Sequence, residues 1–346
     1  MTSPYLAKEP NSTPRFLITG DPTKTMQPEF DTTLLMCHEL LKRGYDVDYC
    51  DLFQTNLDQE PEAYLKNLKV QKVLFADNDD PCFIGLAPAE SKNVLDEYDI
   101  VIHRKDPPVD AFFEKKCKIF ATLPKSILQI NNPEKIATLH EHEIPLRYPD
   151  FCAKTYVCQS YEEFVEAVRA CPTEAVCKPH NECSGLGIEF YKNDVDENIL
   201  KAYWRKRQPR VIVQPFIKEI ENSGDLRVLM MNGAILGSVL RVPKKGSRLA
   251  NLHQGAHGEA YEITDFHRNC AKVVSEDLAK EGIYLIGLDF IGENLTEVNI
   301  TSPTALPLIN RLMNIQGHLT LVDEIENLYK ENFERDHNIQ REIPGN

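Results

Sequence analysis

Apolar and polar residues alternate along the first third of the chain in a pattern that predicts strands and helices in turn. The predicted strands lie at 16–21, 45–49, 73–76 and 99–103. Apolar residues at helical spacing predict a helix over 31–44, with Gly44 at its C-terminus. This alternation indicates a small parallel α/β domain over 15–130, and the preceding residues 1–14, with three prolines, are expected to be a flexible tail.

Two more units are predicted after this domain, at 131–213 and 214–332, and 333–346 are expected to form a charged C-terminal tail. The second unit is expected to contain helices at 133–143 and 161–170 and strands at 155–158, 175–178 and 188–192. The third unit is expected to end in a helix that begins near Gly317. Pro215 predicts that its strand is either an edge strand or leads into a hinge, because proline has no backbone N–H.

Composition excludes several classes of protein. The chain has 39 basic and 53 acidic residues, a net charge of −14, which disfavours nucleic-acid binding and binding to a membrane surface. Its longest apolar run ends at Asp289, far short of a membrane span, and the N-terminus shows no secretory signal. Ten scattered cysteines without a Cys-x-x-Cys pair predict reduced thiols in a cytoplasmic protein.

A dinucleotide-binding site is not indicated by the first strand. The turn that follows it contains one glycine, Gly20, where a Gly-x-Gly-x-x-Gly sequence is expected for such a site.

The strongest chemical signal is a predicted hairpin over 287–303. With a three-residue loop, Asp289 faces Glu297, and Asn299 lies on the same side of the sheet because it is two residues further on. Two carboxylates and an amide oxygen are suitable ligands for Mg²⁺. The alternative is a half-buried strand whose polar face meets solvent, which explains Asp289 poorly because it interrupts an apolar run.

A second signal is Lys178, which closes an apolar strand before a loop with Gly185 and Gly187. Such a loop can present an ammonium group and backbone N–H groups to phosphates, although it is not a Walker sequence. A lysine at a strand end beside a glycine turn explains the same residues without a ligand.

Basic residues form a third signal in this acidic chain. Arg104 ends a strand, Arg227 and Arg241 lie in two others, and the glycine-bearing stretch 243–258 is typical of a mobile lid. Arginine binds carboxylates with a two-pronged fork, so these residues favour an anionic substrate.

The order of these motifs resembles the bacterial-type glutathione synthetases, which belong to the ATP-grasp superfamily. The resemblance covers about 15–329 and is most specific at 102–110 and 286–304. It implies an α/β fold of the ATP-grasp type, with an N-terminal parallel α/β domain, a small lid domain and a C-terminal catalytic sheet domain.

The resemblance also implies roles for individual residues. The metal ligands are expected to be Asp289, Glu297 and Asn299. The residues expected to contact ATP are Lys178, His142, Ser184, Gly185, Gly187, Gln214, Phe216 and Ile217. The catalytic arginines are expected to be Arg227 and Arg241. The residues expected to bind the peptide substrate are Arg104, Asn251, Ser302 and Thr304.

The implied activity is an ATP- and Mg²⁺-dependent ligase, with Mn²⁺ as a possible substitute metal. It joins γ-glutamylcysteine and glycine through an acyl phosphate, and family members commonly form symmetric homo-oligomers. Two alternatives stay open: a ligase of this fold for another amino acid or peptide, and an ATP-binding homologue without turnover.

Several positions depart from the family pattern. An ungapped count places His142 where the family has a second phosphate-binding lysine, and Glu182 and Ser184 stand where the family favours glycine. The arginine before Asn251 is shifted to Arg248. The sequence 305–308 differs from the family beside the expected peptide pocket, which bears on the identity of the substrate.

Overall fold

The structure is a computed structural model. It describes residues 13–55, 57, 59–76, 80–179, 187–244, 250 and 255–342, with 221–222 and 335–342 described by their backbone alone. The predicted tail 1–14 therefore lies almost entirely outside the described residues.

The N-terminal part forms a sheet with strand order β4-β3-β2-β1-β6-β7, to which β5 adds by pairing with β3. Its strands are β1 Arg15–Gly20, β2 Asp46–Asp51, β3 Leu68–Phe75, β4 Ile84–Leu86, β5 Glu90–Lys92, β6 Ile100–Arg104 and β7 Leu128–Ile130. Strands β1, β2, β6 and β7 are parallel, as predicted, whereas β3 runs antiparallel to β2. The predicted strand at 73–76 is thus the end of a longer, antiparallel strand.

Helices cover this sheet, and three of the four begin at a residue whose side chain caps the helix. They are α1 Thr32–Lys42, α2 Pro61–Lys66, α3 Val94–Glu97 and α4 Ala111–Phe120. Asp31 caps α1, since its carboxylate accepts the backbone N–H of Thr33 at 2.7 Å and of Leu34 at 3.3 Å. Gly44 follows this helix with φ +83°, a conformation that favours glycine.

The middle part forms a four-stranded antiparallel sheet with order β10-β9-β11-β8. Its elements are α5 Pro133–Thr138, β8 Tyr156–Cys158, α6 Tyr161–Ala170, β9 Glu174–Pro179, β10 Glu189–Lys192, α7 Glu197–Arg207 and β11 Val211–Pro215. The predicted helix 133–143 is wrong in length, because Leu139 turns to an extended conformation and packs against the core of the next sheet. A short 3-10 helix follows at Ile144–Arg147.

The prediction of an edge strand around Pro215 is also wrong, whereas its alternative, a strand that leads into a hinge, stays a prediction. Strand β11 lies between β8 and β9, and Pro215 is its last residue, paired with Ala175. At the end of a strand, the missing N–H of proline does not interrupt the ladder of hydrogen bonds.

The C-terminal part forms a five-stranded antiparallel sheet with order β14-β13-β12-β15-β16. Its elements are α8 Ile220–Ser223, β12 Asp225–Met231, β13 Ala234–Val242, β14 His257–Ala260, α9 Asp265–Ala279, β15 Leu285–Ile291, β16 Asn294–Asn299, α10 Leu306–Met313 and α11 Gly317–Glu342. Helix α11 continues ten residues past the predicted end, so most of the predicted tail 333–346 is helical.

One apolar core joins the first and third sheets. Phe16 and Ile18 of β1 lie in the same cluster as Leu229 of β12 and Leu321 of α11. Leu17, which points to the other face of the N-terminal sheet, belongs to a separate cluster with α4. This shared core fixes the end of β6 against the segment that follows β16.

No helix in the described part of the chain is long and apolar enough to cross a membrane. The nine cysteines within the described ranges are all free thiols, and most of them are buried.

Candidate functional site

One face of the C-terminal sheet changes from apolar to charged along its central strands. Leu229 and Met231 of β12 lie in the shared core, and Asp225 and Arg227 occupy the same face further along the strand, as the period of two requires. On β15, Asp289 lies opposite Arg227. Charged side chains from neighbouring strands are thereby brought together at one end of the sheet.

The hairpin of β15 and β16 places Asp289 opposite Glu297, as predicted from the sequence, and Gly287 opposite Asn299. The predicted three-residue loop is wrong, because Ile291 pairs with Asn294 across a two-residue turn. An irregularity between Asp289 and Phe290 compensates for the shorter turn. The three oxygen-bearing side chains therefore still share one face.

Asp289 is the most highly connected group of this cluster, and it is 2% exposed. Its two carboxylate oxygens accept Nε and an Nη group of Arg227, at 2.8 and 2.7 Å. Arg241 lies 2.9 Å away and Asn299 Nδ2 3.1 Å away, both on the same oxygen, Oδ2. Burial alone raises the pKa of Asp289, but Arg227 and Arg241 outweigh it and hold that pKa well below its usual range.

A second carboxylate, Asp225, pairs with Arg241 at 2.6 Å. Burial and the neighbouring Asp289 raise the pKa of Asp225 to about 6, against the opposing effect of Arg241. Its other oxygen, Oδ1, is buried and makes no hydrogen bond with the described residues. A buried acceptor of this kind is available to a ligand.

Lys178 at the end of β9 faces this cluster from the middle sheet. Burial lowers its pKa, and Glu297, Asp225 and Asp289 act in the opposite direction. Burial and Asp289 raise the pKa of Glu297, which Lys178 lowers in turn. Each charged group in the cluster thus depends on a neighbour of opposite sign.

Together the cluster contains three cationic and three anionic side chains. They are Lys178, Arg227, Arg241, Asp225, Asp289 and Glu297. Each buried charge in this set has an oppositely charged neighbour. A charged ligand that enters can therefore replace one partner of a pair.

The donor set suits a hard divalent cation. Asp289, Glu297 and Asn299 offer oxygen atoms on one face, and the free Oδ1 of Asp225 lies in the same cluster. Within the part of the chain that the structure describes, no group of three or more His, Cys, Asp or Glu side chains forms a metal site. The cation would therefore depend on two carboxylates, an amide and oxygen atoms from a bound substrate.

His142 lies beside this cluster, with Nδ1 3.7 Å from Glu297 Oε1. Glu141, the preceding residue, is close enough to Glu297 for each carboxylate to affect the other, and Glu297 contributes to a raised pKa of Glu141 after the larger effect of burial. The sequence comparison that selected His142 did not select Glu141, since nothing in the local pattern distinguishes it.

The residues expected to contact adenine lie at the end of β11 and directly after it. Gln214 is buried and donates its amide to the Thr155 hydroxyl at 2.8 Å. The rings of Phe216 and Phe190 pack in a T-shaped arrangement. The Ile217 carbonyl accepts the N–H of Ile220 at 3.2 Å. A cavity of about 520 Å³ lies beside this segment, lined by Pro172, Thr173, Pro215, Phe216, Lys218, Glu219 and Ser223.

Three residues expected to bind the peptide lie at the junction of the N-terminal and C-terminal sheets. Arg104 is 1% exposed and donates to the Thr33 hydroxyl and the Pro303 carbonyl, at 3.0 and 2.9 Å. The Ser302 hydroxyl donates to the Arg104 carbonyl at 3.3 Å, and Thr304 is partly exposed nearby in sequence. One Nη group of Arg104 makes no hydrogen bond with the described residues.

The predicted phosphate loop and lid are only partly described. Ser184, Gly185 and Asn251, together with the departures at Glu182 and Arg248, lie outside the described residues. Gly187 has φ +70°, and an added Cβ would lie 2.6 Å from Cγ of the Pro179 ring, so both backbone conformation and space favour glycine there.

Two family models match successive parts of the chain. The model of the prokaryotic glutathione synthetase N-terminal domain matches residues 15–137, and the model of the ATP-grasp domain of the same family matches residues 141–314. The chain belongs to the prokaryotic glutathione synthetase family. It is an ATP-dependent ligase, as the sequence resemblance predicts. The boundary between the second and third predicted units, at 213/214, stays a prediction.

Curated relatives match this ligase over nearly its whole length. A glutathione synthetase of Vibrio cholerae is 28% identical over 90% of this chain and 97% of its own. That of Synechococcus elongatus is 30% identical over 87% and 94%, and that of Coxiella burnetii is 31% identical over 83% and 88%.

Solved structures confirm the ATP-grasp fold of the ligase. D-cycloserine synthetase DcsG aligns with a TM-score of 0.63 at 13% identity, over 91% of this chain and 99% of its own. A D-alanine–D-alanine ligase of Bacillus anthracis in complex with ATP aligns with a TM-score of 0.54 at 12% identity, over 93% and 99%.

Sequence reasoning missed Asp225 in this site. The signal that could have found it is its spacing, two residues before Arg227 on a strand, which places both side chains on one face of the sheet.

Proposed function

We propose that this ligase joins γ-glutamylcysteine to glycine to form glutathione, with ATP converted to ADP and phosphate. The observation that carries the proposal is the cluster around Asp289, in which oxygen donors and cationic side chains share one face of the C-terminal sheet. The name of the relatives, glutathione synthetase, supplies the product, and the family resemblance implies the two substrates.

The proposed reaction has two steps. A carboxylate is a poor acyl donor because oxide must leave, so the peptide carboxylate first takes the γ-phosphoryl group of ATP and releases ADP. The glycine amine then attacks the acyl carbon, loses a proton and displaces phosphate, which leaves an amide. Catalysis of this kind depends on positioning and on neutralising charge.

Asp289, Glu297 and Asn299 are proposed to hold Mg²⁺, for which Mn²⁺ can substitute. When bound, the metal neutralises phosphate charge and orients the phosphoryl group. Lys178 offers an ammonium group from the opposing sheet. Arg227 and Arg241 offer guanidinium groups, which can bind phosphate or the developing oxyanion once they release part of their contact with Asp289.

The remaining predicted residues are proposed to hold the two larger substrates. For ATP these are Gln214, Phe216 and Ile217 at the adenine, and His142, Ser184, Gly185 and Gly187 at the phosphates. For the peptide they are Arg104, Asn251, Ser302 and Thr304. The free Nη group of Arg104 is a donor that a substrate carboxylate can accept from.

A second candidate, a ligase for a different amino acid or peptide, is favoured by the segment after Ser302. Ala305 has φ +97°, and Leu306 and Leu308 are buried at the start of α10, so an apolar helix begins next to the proposed peptide pocket. The third candidate, ATP binding without turnover, is less favoured because Asp289, Glu297, Asn299 and Lys178 are all present.

One assay separates the candidates. The protein is incubated with ATP, Mg²⁺, γ-glutamylcysteine and glycine, and both phosphate and glutathione are measured. Glutathione with one phosphate per product supports the proposal. Phosphate release only with other amino acids supports the second candidate, and ATP binding without release supports the third.

The proposal also places the enzyme in the cytoplasm as a symmetric homo-oligomer, as the family resemblance implies. Sedimentation of the purified protein measures its mass directly, and a single species at the mass of one chain would contradict the oligomer.

A further inference from the structure

Strand β16 is an edge strand, and the backbone N–H groups on its outer side need acceptors from outside the sheet. The Phe151 carbonyl accepts the N–H of Leu295 at 2.7 Å. Glu141 accepts the N–H of Val298 and of the two residues with which the chain leaves the strand. Its carbonyl accepts the N–H of Val298 at 3.0 Å. A single carboxylate oxygen, Oε1, accepts the N–H of Ile300 at 2.7 Å and of Thr301 at 3.0 Å.

These three N–H groups belong to the residue before Asn299 and to the two residues after it. Ser302 is the next residue in the chain. The carbonyl of Ile300 is held as well, because it accepts Nδ2 of Asn131 at 2.7 Å. The backbone N–H and the backbone carbonyl of Ile300 are therefore both bound by side chains from the segment 131–141.

This arrangement matters for the site because Asn299 acts from the same backbone. Its side chain reaches Asp289 Oδ2 at 3.1 Å and the Gly287 carbonyl at 3.2 Å, and the strand itself pairs with β15 on the inner side. A shift of the outer edge would move Asn299 and Ser302 together, and misplacement by about 1 Å can cost about 100-fold in rate.

We infer that Glu141 is a positioning residue of the proposed site: its carboxylate fixes the end of β16 and so sets the places of Asn299 and Ser302 relative to Asp289. This inference rests on the proposed function as far as those residues bind metal and substrate. The alternative is that Glu141 only closes the edge of the sheet and stabilises the fold.

The test compares Glu141→Ala and Glu141→Gln with the wild type. Glutamine keeps an oxygen that can accept two N–H groups, whereas alanine removes it. The matched control is Glu134→Ala, which removes an exposed carboxylate from α5 in the same segment. The measurements are kcat and KM for each substrate, Tm, hydrogen exchange at Ile300 and Thr301, and Mn²⁺ affinity in the presence of a non-hydrolysable ATP analogue.

We expect Glu141→Ala to lower kcat by about tenfold or more and to weaken Mn²⁺ binding, with faster exchange at both amides. The glutamine variant is expected to recover most of each property, and Glu134→Ala to match the wild type.

Wild-type kcat and Mn²⁺ affinity in Glu141→Ala would overturn the inference. The inference would also be overturned if the alanine and glutamine variants lost kcat and Mn²⁺ affinity equally and in proportion to their fall in Tm. Hydrogen exchange and Mn²⁺ affinity do not depend on the substrate chosen, so a wild type that makes no glutathione would refute the proposed function while these two measurements still test Glu141.

Discussion

Arg104 and Lys116 in the N-terminal part, and Arg227 and Arg241 in the C-terminal sheet, are cations with little exposure to solvent, but their partners differ. Lys116 donates to the hydroxyls of Thr55 and Tyr64, and Arg104 donates to a hydroxyl and a carbonyl. Arg227 and Arg241 bond to carboxylates, which are themselves candidate metal ligands.

This difference separates two uses of buried charge. Neutral partners hold a cation in one place, which stabilises local structure at a cost in desolvation. They leave one Nη group of Arg104 without a partner among the described residues, and that group is proposed to bind the substrate. Carboxylate partners can exchange a guanidinium for a metal ion while the arginine turns to a phosphate. Burial of a charged residue therefore does not by itself indicate a metal site, and the carboxylate partners on the same face are what distinguish the C-terminal cluster.

The largest effect is expected from Asp289→Asn, which removes the charge at the centre of the C-terminal cluster. We expect turnover to fall at least about 100-fold, equivalent to about 3 kcal/mol in the barrier. Circular dichroism is expected to show the wild-type fold, and Asp323→Asn, which changes an exposed carboxylate of α11, is the matched control. Turnover near the wild-type level would refute the role of Asp289.

A smaller effect is expected from Lys116→Met in the N-terminal part, and it concerns stability instead of turnover. Burial lowers the pKa of Lys116 to about 8. The folded protein therefore releases this proton at lower pH than the unfolded chain does, and the free energy of unfolding gains about 2 kcal/mol from this group between pH 7 and pH 10.

The measurement is urea unfolding of the wild type and Lys116→Met across this range. The variant is expected to lack the gain and to keep turnover at pH 7 within about twofold. A large loss of turnover in this variant would mean that Lys116 also belongs to the site although its partners are neutral, and the comparison would fail.

The smallest effect is expected from His142→Lys, which adds a permanent cation beside Glu297. We expect ATP to bind about threefold to tenfold more tightly at pH 8, because ammonium stays charged at that pH and histidine is neutral. Calorimetric titration measures this affinity, and an unchanged value would mean that His142 does not stand at the phosphate-binding position.

Local patterns were sufficient to predict part of this site. The spacing of Glu297 and Asn299 and the turn at Gly292 correctly predict that Asp289 faces Glu297. The irregularity after Asp289 has no local signal and was not predicted. The loop is one residue shorter than predicted and the strand contains one extra residue, so the two errors cancel and Asp289 still faces Glu297.

The parts that sequence reasoning missed depend on contacts between distant segments. Helix α5 ends early because Leu139 packs against the C-terminal sheet, and Glu141 bonds to Ile300, 159 residues away. Neither contact has a local pattern. The N-terminal fold was easier to predict because its parallel strands, such as β1, are buried over nearly their whole length and contain runs of apolar residues.

Binding of Mn²⁺ in the presence of a non-hydrolysable ATP analogue, followed by electron paramagnetic resonance, tests the central claim most directly. We expect the wild type to bind the metal, and Asp289→Asn and Glu297→Gln each to lose about tenfold or more in affinity. Equal affinity in all three proteins would contradict the assignment of the metal to this face of the C-terminal sheet.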